Sequence, residues 1–152
     1  MDEHIKVVAT NRKATHDYSI LDRFEAGIAL FGSEIKSIRA GQINIKEGYI
    51  LIEGRQAWLL GAHISPYDPA SMANHDPLRK KRLLLHRKQI IKLQEAQQQK
   101  GLAIVPLQVF LKKGLAKIEI GLGRGLKKYD KRQVIAKRDA EREVRRAFAG
   151  RG

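Results

Sequence analysis

The side chains able to do chemistry in this chain are mostly cations, and their arrangement suits gripping a polyanion rather than turning over a substrate. Five histidines (His4, His16, His63, His75, His86) are scattered, with no two at the i, i+3 or i+4 spacing that would place them on one metal. The absence of cysteine removes disulfides, thiolate zinc sites and cysteine nucleophiles. Gly121-Leu-Gly-Arg-Gly125 comes nearest to a phosphate-cradling loop. It lacks the third glycine of GxGxxG and no GK[ST] follows, so it reads as a hinge. No serine sits in a GxSxG elbow, and nothing selects one pair of carboxylates as general acid and base. The expectation is a binding protein, with no catalytic residue, metal or cofactor.

The cations concentrate at the C-terminus. From Gly121 to Gly152, eleven Lys and Arg face four carboxylates, a surplus of +7 and half of the chain's formal +14. So little apolar surface does not offset ordering entropy, so the segment is expected to be mostly unfolded when free. It is patterned all the same. On a helical wheel Lys131, Arg138, Arg142 and Arg145 form one stripe, and Ala136, Ala140, Val144 and Ala147 lie opposite. Tyr129, an aromatic set directly among Lys127, Lys128, Lys131 and Arg132, is a candidate for stacking on a base. Such a segment is expected to become a helix on a polyanion. Its Ala-rich face lacks the large anchors of a membrane-surface helix.

A second basic run, Leu78 to Lys92, holds Arg79, Lys80, Lys81, Arg82, Arg87, Lys88 and Lys92 around Leu83-Leu84-Leu85, with no carboxylate between Asp76 and Glu95. With pI near 10.2 overall, the implied partner is nucleic acid.

The elements that must carry these residues are short. Met1 to Lys13 is polar with a small apolar knot at Val7-Val8, followed by a polar cluster of Asn11, Arg12, Lys13, His16 and Asp17. Period-two alternation predicts a long strand from Tyr18 to Leu30. Its apolar side would be Tyr18, Ile20, Phe24, Ala26, Ile28 and Leu30, with Asp22 the exception and an inversion near Phe31. Ser33 as N-cap and Gly41 past the end predict a helix from Ser33 to Ala40. Strands follow at Tyr49–Glu53 and Gln56–Ile64 around a Gly54-Arg55 turn, the second with Trp58, Leu60, Ala62 and Ile64 on one face. After a Pro-rich loop come a strand at Leu83–Leu85 and a helix at His86–Lys100 ended by Gly101. A strand at Ala103–Leu111, in which Pro106 calls for an edge or a bulge, turns at Lys112-Lys113-Gly114 into the strand Leu115–Gly121. This order predicts a mainly β fold: a small oligonucleotide-binding-type barrel with about three flanking helices, residues 1–123, and a basic tail, residues 124–152. The start of the chain has no apolar h-region, and no run is long enough to cross a bilayer, so a cytoplasmic monomer is expected.

Several stretches together resemble the SsrA-binding protein (small protein B) family of bacteria. They are NRKATHDY (Asn11–Tyr18), FEAGIALFGSEIKSIRAGQINIKEGY (Phe24–Tyr49), LLGAHISPY (Leu59–Tyr67), DPLRKKRLLLHR (Asp76–Arg87) and GLGRGLKKYDKR (Gly121–Arg132). The resemblance implies a non-catalytic protein that binds the tRNA-like domain of transfer-messenger RNA and delivers it to stalled ribosomes for trans-translation. It also implies a tail that contacts the decoding centre and becomes helical in the empty mRNA channel. On the barrel, the implied RNA-facing residues are Asn11, Arg12, His16, Glu25, Leu84, His86 and Lys117, with Arg82 of the basic run beside them. In the tail they are Arg124, Lys127, Lys128, Tyr129, Asp130, Lys131, Arg132, Arg138 and Arg142. Simpler roles stand against some of these: local turn hydrogen bonds for Asn11 and His16, an ion pair for Glu25, core packing for Leu84. The alternative function is a ribosomal or general single-strand RNA-binding barrel. A nuclease or RNA-modifying enzyme is the third reading.

Overall fold

The computed structural model describes residues 5–66 and 75–126. Among them are nine strands and three helices: β1 (Ile5–Thr10), α1 (Arg12–Asp17), β2 (Tyr18–Ile28), α2 (Gly32–Arg39), β3 (Ile43–Asn44), β4 (Tyr49–Glu53), β5 (Gln56–Leu60), β6 (His63–Ile64), β7 (Lys81–Leu84), α3 (Arg87–Gln99), β8 (Ala103–Lys112) and β9 (Leu115–Gly125). Seven strands form one antiparallel sheet in the order β1-β8-β9-β2-β7-β5-β4, and β3 pairs with β6 apart from it. The sheet curls until β4 lies near β8. Among the described residues no strand pairing joins its two edges, so the barrel is open.

Inside the curl lies an isoleucine-rich core, in which Ile38, Ile50, Leu59, Ile64, Ile104, Ile118 and Ile120 are fully buried. Each such side chain stabilises the fold by roughly 1.5–3 kcal/mol relative to exposure. The helix α3 closes one side with Leu93 and Ala96. Gly101 ends the helical region at φ +63°, as expected of a glycine past a helix C-terminus.

Alternation along β2 is broken earlier than the sequence suggested. Ile20 pairs with Gly123 and Asp22 with Leu122, so Leu21 is the extra residue of a bulge. The expected single apolar side is therefore two. Phe24, Ala26 and Ile28 join the main core, whereas Tyr18 and Ile20 cross to the other face and pack with Ala14, Val105 and Leu107 in a second, small core under α1. A matching bulge at Leu107 of β8 follows Pro106, which meets the expectation for that proline.

The small core also corrects the reading of Gly121-Leu-Gly-Arg-Gly125 as a hinge. β9 continues through all five residues, paired with β2 up to Tyr18–Gly125. A Cβ on Gly121 would meet Leu107 Cδ1 at 2.9 Å, and one on Gly123 would meet Tyr18 Cβ at 3.0 Å. The glycines let the small core sit flat on the strand. Leu126 still donates its N–H to Asp17 O at 2.9 Å.

Three further expectations change. The strand predicted over Gln56–Ile64 is cut at Gly61, where φ is +72° and a Cβ would stand 2.5 Å from Glu47 O. Ala57 and Leu59, not Trp58 and Leu60, are the buried pair before the cut, and Ala62 and Ile64 are buried after it. Ser33 does not cap α2. The helix starts at Gly32, Glu34 accepts the Phe31 N–H at 2.7 Å, and Ser33 Oγ meets His75 Nδ1 at 2.9 Å. β1 and α1 occupy the stretch read as polar with an apolar knot and no element, so α1, with the two helices foreseen in the body, makes the third.

Candidate nucleic-acid interface

Strand alternation sorts the predicted residues onto the outer face of the sheet. On β2, Phe24, Ala26 and Ile28 point inward, which turns Arg23, Glu25 and Gly27 outward. On β7, Lys81 and Leu83 are buried while Arg82 and Leu84 are exposed. On β9, Ala116, Ile118 and Ile120 are buried between Lys117 and Glu119. Gly27 pairs with both Leu84 and Lys117, so a leucine, a glycine and a lysine form one row across three strands. Leu84 is 49% exposed, which excludes the core-packing role. With Leu115, Arg39 and Lys117 it lines an open groove of about 340 Å³.

Glu25 faces Glu119 directly across the β2–β9 pair, an arrangement that repels unless compensated. Arg23 Nη1 lies 2.8 Å from Glu119, and Lys112 Nζ lies 3.6 Å from Glu25. The ion-pair reading of Glu25 thus has geometric support, yet the carboxylate is 47% exposed and keeps room for a second partner. His86 precedes α3. Its N–H donates to Gln89 Oε1 at 3.0 Å, and the imidazole itself caps nothing.

The α1 end differs. Arg12 is exposed, and His16 is exposed with Nδ1 3.0 Å from Asp17 Oδ1. Asn11, by contrast, is 3% exposed. Its Nδ2 donates to Ile45 O at 3.2 Å and Pro106 O at 2.9 Å, and its Oδ1 accepts the Ala14 N–H at 3.1 Å. The carboxamide is committed inside, where it caps α1 and ties it to the barrel, which is the local hydrogen-bonding role set against an RNA contact. Tyr18, beside this patch, and Gly27, in the other, are nine residues apart on β2, about 30 Å at the rise of an extended strand. The structure therefore makes two patches, one toward each end of β2.

Arg124 is exposed on β9 opposite Ser19. Lys127, Lys128, Tyr129, Asp130, Lys131, Arg132, Arg138 and Arg142 lie outside the described residues. Among the described residues no group of three His, Asp or Glu could hold a metal, and no helix is long and apolar enough to cross a membrane.

Sequence reasoning passed over one cluster. Glu34, fully buried, receives Arg79 Nη2 at 2.6 Å on Oε1 and Arg79 Nε at 3.1 Å on Oε2. Burial pushes the Glu34 pKa up, but the Arg79 fork and the Phe31 N–H outweigh it and hold the carboxyl below its ordinary value. Arg79 also donates to Ala29 O at 3.1 Å and stacks 4.1 Å from the Phe31 ring. Next to it, Lys81 is 1% exposed and donates to Arg79 O at 2.6 Å; burial pulls its pKa down against the attraction of Glu34. These bonds pin the start of β7 and so set which residues of the basic run face out. The signal available in the sequence was the acidic residue in the first turn of α2.

Comparison with known proteins gives a consistent picture. A family model described as "SmpB protein" matches residues 8–150. An SsrA-binding protein of Desulfitobacterium hafniense is 55% identical over 150 residues, covering 99% of this chain and 96% of that one. Another, of Sulfurihydrogenibium sp., is 51% identical over 146 residues, 96% of each. A solved structure described as "tmRNA-SmpB: a journey to the center of the bacterial ribosome" superposes with a TM-score of 0.67 at 41% identity, over 85% of this chain and 94% of that one.

Proposed function

The chain belongs to the SmpB, or SsrA-binding protein, family, and from that premise we propose how its parts divide the work. It is a non-catalytic protein that binds transfer-messenger RNA and brings it to the ribosome. The open barrel grips the tRNA-like domain, and the basic segment from Lys127 onward serves the ribosome. Such a protein acts in the cytoplasm, where ribosomes stall.

The observation that carries this reading is the outward row of Leu84, Gly27 and Lys117, flanked by Glu25 and Arg82. A folded tRNA-like RNA is recognised mainly through backbone shape, 2′-hydroxyls and unstacked bases. A rigid face mixing cations, carboxylates and an exposed leucine matches such a surface without a base code. Lys117 and Arg82 meet phosphates, Glu25 accepts from a hydroxyl or an exocyclic amine, and Leu84 covers a nucleotide. Arg12 and His16 of α1 extend the contact toward the other patch.

The tail must stand in for mRNA, itself a polyanion, in a channel walled by phosphate, with Tyr129 at the decoding centre. Folding it on docking costs about 2–5 kcal/mol of the gross interaction. Its helix is therefore stable only where phosphate surrounds it, and an occupied channel excludes it. Truncation after Leu126 tests the division. The shortened protein is expected to bind the RNA as tightly as the full chain and to abolish tagging of nascent chains on truncated messages in a reconstituted translation system. An equal loss of RNA affinity would overturn it.

A further inference from the structure

We propose that Trp58, with Lys80, Arg82 and Leu51, forms a stacking platform for an unpaired nucleotide of the bound RNA on the outer face of β4, β5 and β7. The inference rests on the RNA-binding reading above and carries that surface across two more strands.

Register and alternation place the residues. Leu51 pairs with Trp58, and Trp58 with Arg82, in one row across the three strands. Ile50, Ile52, Ala57, Leu59, Lys81 and Leu83 fill the inner side, so the row points outward. Trp58 is half-buried in mid-strand, and Leu51 beside it is 37% exposed. Lys80 Nζ stands over the indole, 4.5 Å from the ring centroid.

A tryptophan on the solvent side of a sheet, bracketed by two cations and a leucine, has the composition of a base-stacking site: a π-face for the base and positive charge for the flanking phosphates. Lys80 is exposed and long, and its ammonium moves from the ring to a phosphate as a base slides over the indole. Glu53, in the next row and opposite Gln56, is the carboxylate on this part of the face. Two features specify RNA as the occupant. The charge is complementary, and the patch is continuous with the row of Leu84 and Lys117, because Arg82 and Leu84 are successive outward residues of β7.

Trp58 is the chain's single tryptophan, so its emission reports on this site alone. The full-length protein is titrated with a transcript of the tRNA-like domain of a transfer-messenger RNA, with binding followed in parallel by fluorescence and by filter retention. Quenching is expected with the midpoint of the retention curve. Trp58→Phe should bind within about threefold of the parent. Trp58→Leu should bind about tenfold or more weakly at an unchanged thermal midpoint, and Lys80→Gln should lower the salt dependence by about one counterion. Retention without any change in emission, together with full affinity in Trp58→Leu, would remove the platform and leave the RNA-binding reading intact. Quenching by ribosomes but not by the transcript would assign the ring to a different partner and overturn the proposal. Failure of the transcript to bind by either readout would overturn both.

Discussion

Arg79 and Lys81 share a basic run with Lys80 and Arg82, yet the two pairs live in different chemistry. Lys81 is buried and Arg79 is clamped to a buried carboxylate, and together they hold α2, the chain before it and the start of β7 in place. Lys80 and Arg82 are exposed, and Lys80 leans on an indole. One residue of register separates a structural cation from one free to meet phosphate. A count of positive charges therefore overstates a binding surface, because folding consumes some of them. The same sorting divides Asn11, turned inside, from Arg12 next to it.

The largest expected effect breaks the inward side. Arg79→Met leaves the Glu34 carboxylate buried without its partner, and stability should fall by about 3–5 kcal/mol in denaturant unfolding. Acid probes the same contact. The folded-state pKa of Glu34 lies below its ordinary 4.5, so its contribution to stability is complete above 4.5 and is lost as pH falls through the folded value. That acid limb should flatten in Arg79→Met. A smaller loss, about 2 kcal/mol, is expected for Asn11→Ala, which removes a helix cap and the buried Asn11 bonds to the Ile45 and Pro106 carbonyls, although Ile45 O keeps the Gly48 N–H. The folded variant should still bind RNA within about threefold of the parent; a larger loss at equal folding would return Asn11 to the RNA contacts. Smallest in stability is Arg82→Ala, expected within about 0.5 kcal/mol of the parent. Its signature is in binding, where the slope of log affinity against log salt should drop by about one. A stability change as large as that of Arg79→Met would erase the distinction between the two pairs.

Much of the fold was legible where one rule acts over many residues. The strand Tyr49–Glu53, the helix at 86–100 and the alternation of Ala116, Ile118 and Ile120 follow from period and caps, and appear within a residue or two of their expected bounds. Six-residue elements such as β1 and α1 offer too few repeats for periodicity to register. The bulge at Leu107 was announced by Pro106, whereas the one at Leu21 was hidden because its cause is the small core under α1, built from residues as distant as Ala14 and Leu107. Gly121 and Gly123 looked like a hinge because glycine serves both freedom and close approach, and only the neighbour facing it tells which. In the candidate interface, Lys117 could be placed from alternation, whereas the strand read at Leu83–Leu85 stopped short of Arg82. Leu84 could not, because an apolar run reads alike whether it faces core or ligand.

By itself the sequence determined the class of partner, the strand-rich architecture and the family, because net charge, hydrophobic period and a long continuous likeness are properties of the chain taken in order. Tertiary structure alone decided which charges are available. Burial, register and hydrogen bonding depend on residues brought together from far along the chain, and those contacts turned Asn11, Arg79 and Lys81 inward while leaving Arg82, Leu84 and Lys117 on the outer face of the sheet.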